Sequence, residues 1–141
     1  MRVRPGTIDD IDAVLELWLV AEADPSTTDD AASLALLLQH DFGALLVADS
    51  DGRVVGSLIA GWDGWRGNMY RLAVAPDQRR RGIARALVDA GEKRLATLGA
   101  RRIGAAVIAA RDVSNATWQG VGYEDDPPMR RYARNLPRSR P

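Results

Sequence analysis

The residues of this chain best suited to chemistry are Arg79, Arg80, Arg81, Gly82, Ile83 and Ala84, three consecutive cations followed by a glycine and an alanine two residues apart. Gly82 stands at the mouth of an apolar-periodic stretch, Ile83, Leu87, Gly91, Leu95 and Leu98. That spacing predicts a helix from about Arg81 to Leu98, with Gly99 as its left-handed C-cap. First-turn amides of a helix have no intrahelical acceptor and carry the positive end of its dipole, so they offer donors to an anion. Bare or nearly bare Cα atoms at Gly82 and Ala84 let an anionic oxygen reach the backbone, and the arginines surround it with charge. A run of arginines alone would equally suit a solvated surface. Arginine at a helix start opposes the dipole, however, and this placement favours a compensating anion. The physical reading is a pyrophosphate cradle. Neither the G-x-x-x-x-G-K-[ST] of a nucleoside-triphosphate loop nor the G-x-G-x-x-G of a dinucleotide fold is present.

The elements that must position this cradle follow from periodicity. Arg2 to Arg4 reads as a short edge strand ended by Pro5-Gly6. Thr7 can cap a helix to about Ala23, whose Ile8, Ile11, Val14, Leu15, Trp18 and Leu19 form one stripe. Asp24-Pro25-Ser26 breaks it, and Thr27 to Asp30 offers caps for a second helix carrying Leu34, Leu37 and Leu38. Leu45 to Ala48, Val54 to Trp62 and Asn68 to Val74 then read as an antiparallel meander, with turn signals at Asp51-Gly52 and Asp63-Gly64. The cradle helix follows, and Ile103 to Ala109 is expected as a strand parallel to the one from Asn68. Asp112 can cap a short helix to about Gly120, and a last strand is expected from Met129 to Leu136. The expected fold is α+β, a single domain over residues 1–136 with a frayed tail at 137–141.

Composition excludes several classes of function. With 141 residues, 19 basic and 19 acidic, the chain has one domain's length and no net charge to draw it to nucleic acid or an anionic membrane. Cysteine is absent and His40 is the single histidine, which argues against disulfides, thiolate metal sites and multi-histidine centres, so no metal is expected. No long apolar run or signal-like start occurs, and a cytoplasmic protein without membrane partners is expected. Lys93 is the only lysine, so arginine is the default cation and a single arginine carries little functional weight.

The segment R-x-x-G-x-A, from Arg79 to Ala84 after Leu72-Ala73-Val74, resembles the acyl-CoA motif of the GNAT superfamily of N-acetyltransferases. The order of predicted elements resembles that family along nearly the whole chain. The resemblance implies a GNAT-like fold: a mixed, mostly antiparallel central sheet with a β-α-β acyl-CoA cradle and helices on both faces. It further implies acetyl-CoA as co-substrate, bound by Leu72, Ala73, Val74, Arg79, Arg80, Arg81, Gly82, Ile83, Ala84 and Arg85. The strand at Leu72 to Val74 would bulge and splay from its parallel neighbour. Leu72 and Val74 would pair with the pantetheine, and the Val74 amide would polarise the acetyl carbonyl. A narrower resemblance links Gly61-Trp62-Asp63-Gly64-Trp65-Arg66-Gly67 to a hairpin of a small bacterial GNAT branch close to the ribosomal-protein alanine acetyltransferases. It would put Trp62, Asp63, Trp65 and Arg66 at the acceptor mouth, although a tight turn pinned by cross-strand tryptophans explains the same residues.

The family's usual acid, a tyrosine shortly before a Gly-Phe pair, falls here on Trp118, and an indole cannot protonate a departing thiolate. Arg111 stands where an asparagine is usual, unless Asn115 serves one turn later. The catalytic groups are therefore unassigned, with Glu22, Asp63 and Trp118 as candidates. Asp24, Asp29 and Asp30 are further acids that could draw in a cationic amine. The expected activity is direct acetyl transfer from acetyl-CoA to a primary amine, of a small molecule or of a peptide N-terminus, in a ternary complex. The alternative is a non-catalytic acyl-CoA sensor. Homodimers are common in the family, and no interface is legible here.

Overall fold

In a computed structural model, residues 1–21, 26–107, 112–127 and 131–137 are described. Their elements are strand β1 (Arg2–Pro5), helices α1 (Ile11–Val20) and α2 (Ala31–His40), strands β2 (Leu45–Ser50), β3 (Arg53–Trp62) and β4 (Gly67–Val74), helix α3 (Ile83–Leu98), strand β5 (Ile103–Ala105) and helix α4 (Asp112–Gly120). The strands form one sheet in sequence order. β1 through β4 are antiparallel, and β5 lies parallel to β4, as the β-α-β connection requires. The chain thus has the expected α+β architecture.

Local chemistry explains the first layer. A single 3₁₀ turn, Ile8–Asp10, precedes α1, and a capping box closes it: the Thr7 hydroxyl accepts from the Asp9 amide while the Asp10 carboxylate accepts from the Thr7 amide at 2.8 Å. The 3₁₀ turn has a tighter period than the helix, so the expected stripe shifts. Ile8 and Leu19 are exposed, and Ile11, Val14, Leu17 and Trp18 are buried. Asp30 caps α2 by accepting from the Ser33 amide at 2.7 Å, and Leu34 and Leu38 face inward.

On the opposite face lies α3, close enough that a Cβ at Gly91 would stand 2.9 Å from Met69 Cε and 3.1 Å from Leu58 Cδ2. Leu58, Ala60 and Met69 therefore face α3. Ser57, one step along β3, points the other way and accepts a buried hydrogen bond from Trp18 Nε1 of α1 at 2.8 Å. The core fills both interlayer spaces, with Leu45, Leu58, Met69, Leu87, Leu95 and Val14 among its fully buried side chains.

β4 carries a bulge. Ile59 pairs with Tyr70, but two residues back along β3 Ser57 pairs with Ala73, so β4 spends one extra residue there. Arg71 sits in the bulge with φ 54°, a left-handed conformation unusual for a residue with a Cβ. The extra residue reverses the pleat: Met69 faces α3, whereas Arg71 lies against Trp18 on the α1 face.

Two expectations are corrected. β5 is strand only over Ile103–Ala105, and Ala106 and Val107 leave the sheet. Ile108 and Ala109, the rest of the expected strand, lie outside the described residues. Residues 131–136 of the expected last strand form no strand. Their larger apolar side chains, Tyr132 and Leu136, are 86% and 73% exposed, so this stretch brings no buried face to hold it against a sheet. Met129 and Arg130 lie outside the described residues. No helix among the described residues is long and apolar enough to cross a membrane.

Candidate active site

The cradle forms where β4 ends. Pro76–Gln78 make a 3₁₀ turn, held by a bidentate ion pair from Arg53 to Asp77 at 2.9 and 3.0 Å. The Arg53 guanidinium draws the Asp77 carboxyl down to about 2. Arg80 and Gly82 then both adopt left-handed backbone, with φ 64° and 78°, and Gly82 becomes the N-cap of α3. No side chain caps this helix and no acid lies in its first turn. The first intrahelical bond runs from the Ala86 amide to the Gly82 carbonyl, which leaves the preceding amides of the turn free of helical acceptors. Arg79, Arg80 and Arg81 are exposed, and no carboxylate among the described residues pairs with them. Arg85 differs: its guanidinium donates to the Gly120 carbonyl at 2.9 Å and ties α3 to the end of α4.

An open strand edge adjoins this cation-rich turn. β4 pairs with β5 only from Gly67 to Met69, so β4 beyond the bulge has no partner on that side among the described residues. The Ala75 amide donates to Val55 of β3 at 2.8 Å, and alternation turns the amides and carbonyls of Leu72 and Val74 away from β3, toward the open side. Leu72, Ala73, Val74 and the stretch from Arg79 to Arg85 are thus brought together at one end of the sheet.

The hairpin residues are not. Trp62, Asp63, Trp65 and Arg66 occupy the other end of β4, about 23 Å away along an eight-residue strand. There Trp62, Trp65 and Arg66 line an open cleft with Leu98, Gly99, Arg101 and Arg102. The turn spans four residues. Asp63 Oδ1 accepts from the Trp65 and Arg66 amides at 2.8 and 2.7 Å, bonds that lower its pKa, those from Arg66 most. The Arg66 guanidinium stacks on Trp65 at 4.1 Å. Asp63 therefore serves the turn.

Of the other candidates, Trp118 is a core residue, 7% exposed, with its ring edge-to-face on Tyr123 at 4.9 Å. Glu22 and Asp24 lie outside the described residues, as does Arg111. Asp29 is ion-paired to Arg71, and Asp30 is the α2 cap. Nothing in the residue pattern announces Tyr123 as a half-buried phenol. Its hydroxyl donates to Glu92 Oε2 at 3.3 Å and lies 3.8 Å from Met69 Sδ. Burial first, and then the Glu92 carboxylate, push its pKa well above the usual phenol range. No cluster of metal-ligating side chains occurs among the described residues.

Comparison with known proteins agrees with this geometry. The model of the acetyltransferase (GNAT) family matches residues 11–123. An acetyltransferase of Pectobacterium atrosepticum is 36% identical over 124 residues, 88% of each chain. Among solved structures, an aminoglycoside N-acetyltransferase in complex with CoA superimposes with a TM-score of 0.73 at 19% identity, covering 96% of this chain and 95% of that one. The ribosomal-protein-S18-alanine N-acetyltransferase of Escherichia coli superimposes with a TM-score of 0.71 at 18% identity, covering 89% and 78%.

Proposed function

Because this chain belongs to the GNAT acetyltransferase family, we propose that it moves an acetyl group from acetyl-CoA directly to a primary amine, with residues 72–74 and 79–85 as its cofactor site. The observation that carries this reading is the uncapped start of α3, flanked by three arginines that pair with no carboxylate among the described residues and continuous with an edge of β4 that has no strand partner among them.

Acetyl-CoA supplies an acyl group activated as a thioester. The amides of the first α3 turn, with Arg79, Arg80 and Arg81, suit its pyrophosphate. Leu72 and Val74 offer backbone groups to the pantetheine amides, which extend the sheet as an added strand. The Val74 amide is the donor for the acetyl oxygen as negative charge develops on it. The amine nitrogen forms the new C–N bond as the C–S bond breaks. With an indole at position 118, the amine loses its proton to solvent, and the thiolate takes one from solvent. Binding the two substrates side by side contributes through orientation, which is worth about 7–11 kcal/mol in favourable cases.

Calorimetric titration of acetyl-CoA into the wild type and Gly82→Glu tests the reading. Micromolar binding that the variant loses, followed by thiol release with a primary amine, supports it. Binding without thiol release for any amine favours a cofactor sensor. Absence of heat and of thermal shift at millimolar acetyl-CoA overturns both.

A further inference from the structure

Arg71 sits in the bulge of β4, with its side chain on the face covered by α1. Its backbone forms the β4 bulge with φ 54°, and its carbonyl accepts from the Ser57 hydroxyl at 3.4 Å. That hydroxyl in turn accepts from Trp18 Nε1. The Arg71 guanidinium lies 5.5 Å from the centroid of the Trp18 ring and donates from Nε to Asp29 Oδ1 at 3.0 Å and from Nη2 to Asp29 Oδ2. Asp29 is the hub of the segment that leads into α2. Its carboxylate accepts from the Ser26 amide at 2.9 Å, and its amide donates to the Ser26 carbonyl at 3.0 Å. Both side chains of the ion pair are largely buried, at 20% and 16% exposure, and the contact is bidentate, so it is less screened than a surface pair.

We propose that Arg71 is a positioning residue for the acceptor amine, tying the cofactor strand to residues 26–30 through Asp29. The proposal rests on the acetyl-transfer reading above. The same residue whose backbone opens β4 just before Leu72 holds, by its side chain, the segment on the α1 face beside that opening. The side chain reaches that face only because the bulge reverses the pleat after Met69. Strand opening and segment placement are therefore coupled at one residue.

Two variants separate the side chain from the backbone. Arg71→Gly tolerates the left-handed backbone and removes the guanidinium. Asp29→Asn keeps an oxygen for the Ser26 amide and removes the charge. In both, amide hydrogen exchange at residues 26–30 is expected to accelerate about tenfold, while the acetyl-CoA Kd stays within about twofold of wild type. Thiol release is followed with neamine, spermidine and an alanine-terminated hexapeptide. For whichever amine the wild type uses, KM is expected to rise about tenfold with kcat changed less than about threefold, and Arg71→Lys is expected to recover part of the loss. Unchanged exchange, or an unchanged KM in an active enzyme, overturns the positioning role alone. A wild type that releases no thiol with any amine overturns the acetyl-transfer reading, and the acceptor role of Arg71 falls with it.

Discussion

Asp10 accepts from both terminal nitrogens of Arg4, at 2.8 and 3.0 Å, and from the Thr7 amide, while it is itself 8% exposed. The Arg4 guanidinium is the main cause that lowers its pKa to about 2, with the Thr7 amide helping against the cost of burial. A carboxylate depressed in the folded state adds stability above its unfolded pKa and loses it as pH falls through the folded one. Urea unfolding at pH 7 is therefore expected to show Asp10→Asn less stable by about 2 kcal/mol. The gap to wild type should close as pH drops from about 4 to about 2. At this scale the sequence was only partly legible. Asp10 could be read as an acid at a helix start, because capping is a local pattern. Its partner Arg4, on β1, could not be read, and neither could Arg71 with Asp29, 42 positions apart. The second pair exists only once the fold has brought distant segments together, and the first, six positions apart, depends on how the chain turns between β1 and the helix start.

Elements whose signal is periodic were the most legible. The α3 stripe and the β2–β3–β4 meander stand where spacing places them, because each buries a continuous apolar face, whereas the parallel return β5 starts at Ile103 as expected and stops after three residues. Where the apolar signal is thin, as over residues 131–136, alternation alone did not make a strand. The bulge in β4 was expected from the family resemblance, while its seat at Arg71 was not, since nothing in an arginine announces a left-handed backbone. α3 also shows how tightly an element can be fitted. Because a Cβ at Gly91 would lie 2.9 Å from Met69 Cε and 3.1 Å from Leu58 Cδ2, inside ordinary van der Waals contact, Gly91→Val must displace those side chains or the helix. A loss of about 2–3 kcal/mol is expected by urea unfolding, within the usual cost of overpacking. Gly91→Val should also weaken acetyl-CoA binding, since the same helix carries the cradle at its first turn.

For the molecule as a whole, the site joins pieces that are each weak alone: a strand edge, a turn of arginines and a helix start. These candidate residues stand together at one end of the sheet because they are contiguous, from Leu72 to Arg85. The hairpin at Trp62 to Arg66, equally close in sequence, is separated from that turn by the full length of β4. A ligand bound only by the assembled fold stabilises all of it. Acetyl-CoA at about 100 times its Kd should add about 2.7 kcal/mol, a rise of about 8 °C in thermal midpoint, and Gly82→Glu should abolish the shift. The bulge has a consequence for how this gene can change. Because β4 spends one extra residue between Met69 and Ala73, its length is constrained as strictly as its composition. Losing a single codon there would let β4 pair one-to-one with β3, with Ala73 still opposite Ser57, and would erase the distortion that carries Arg71 to the α1 face, whereas most codon replacements in the same stretch leave that distortion in place.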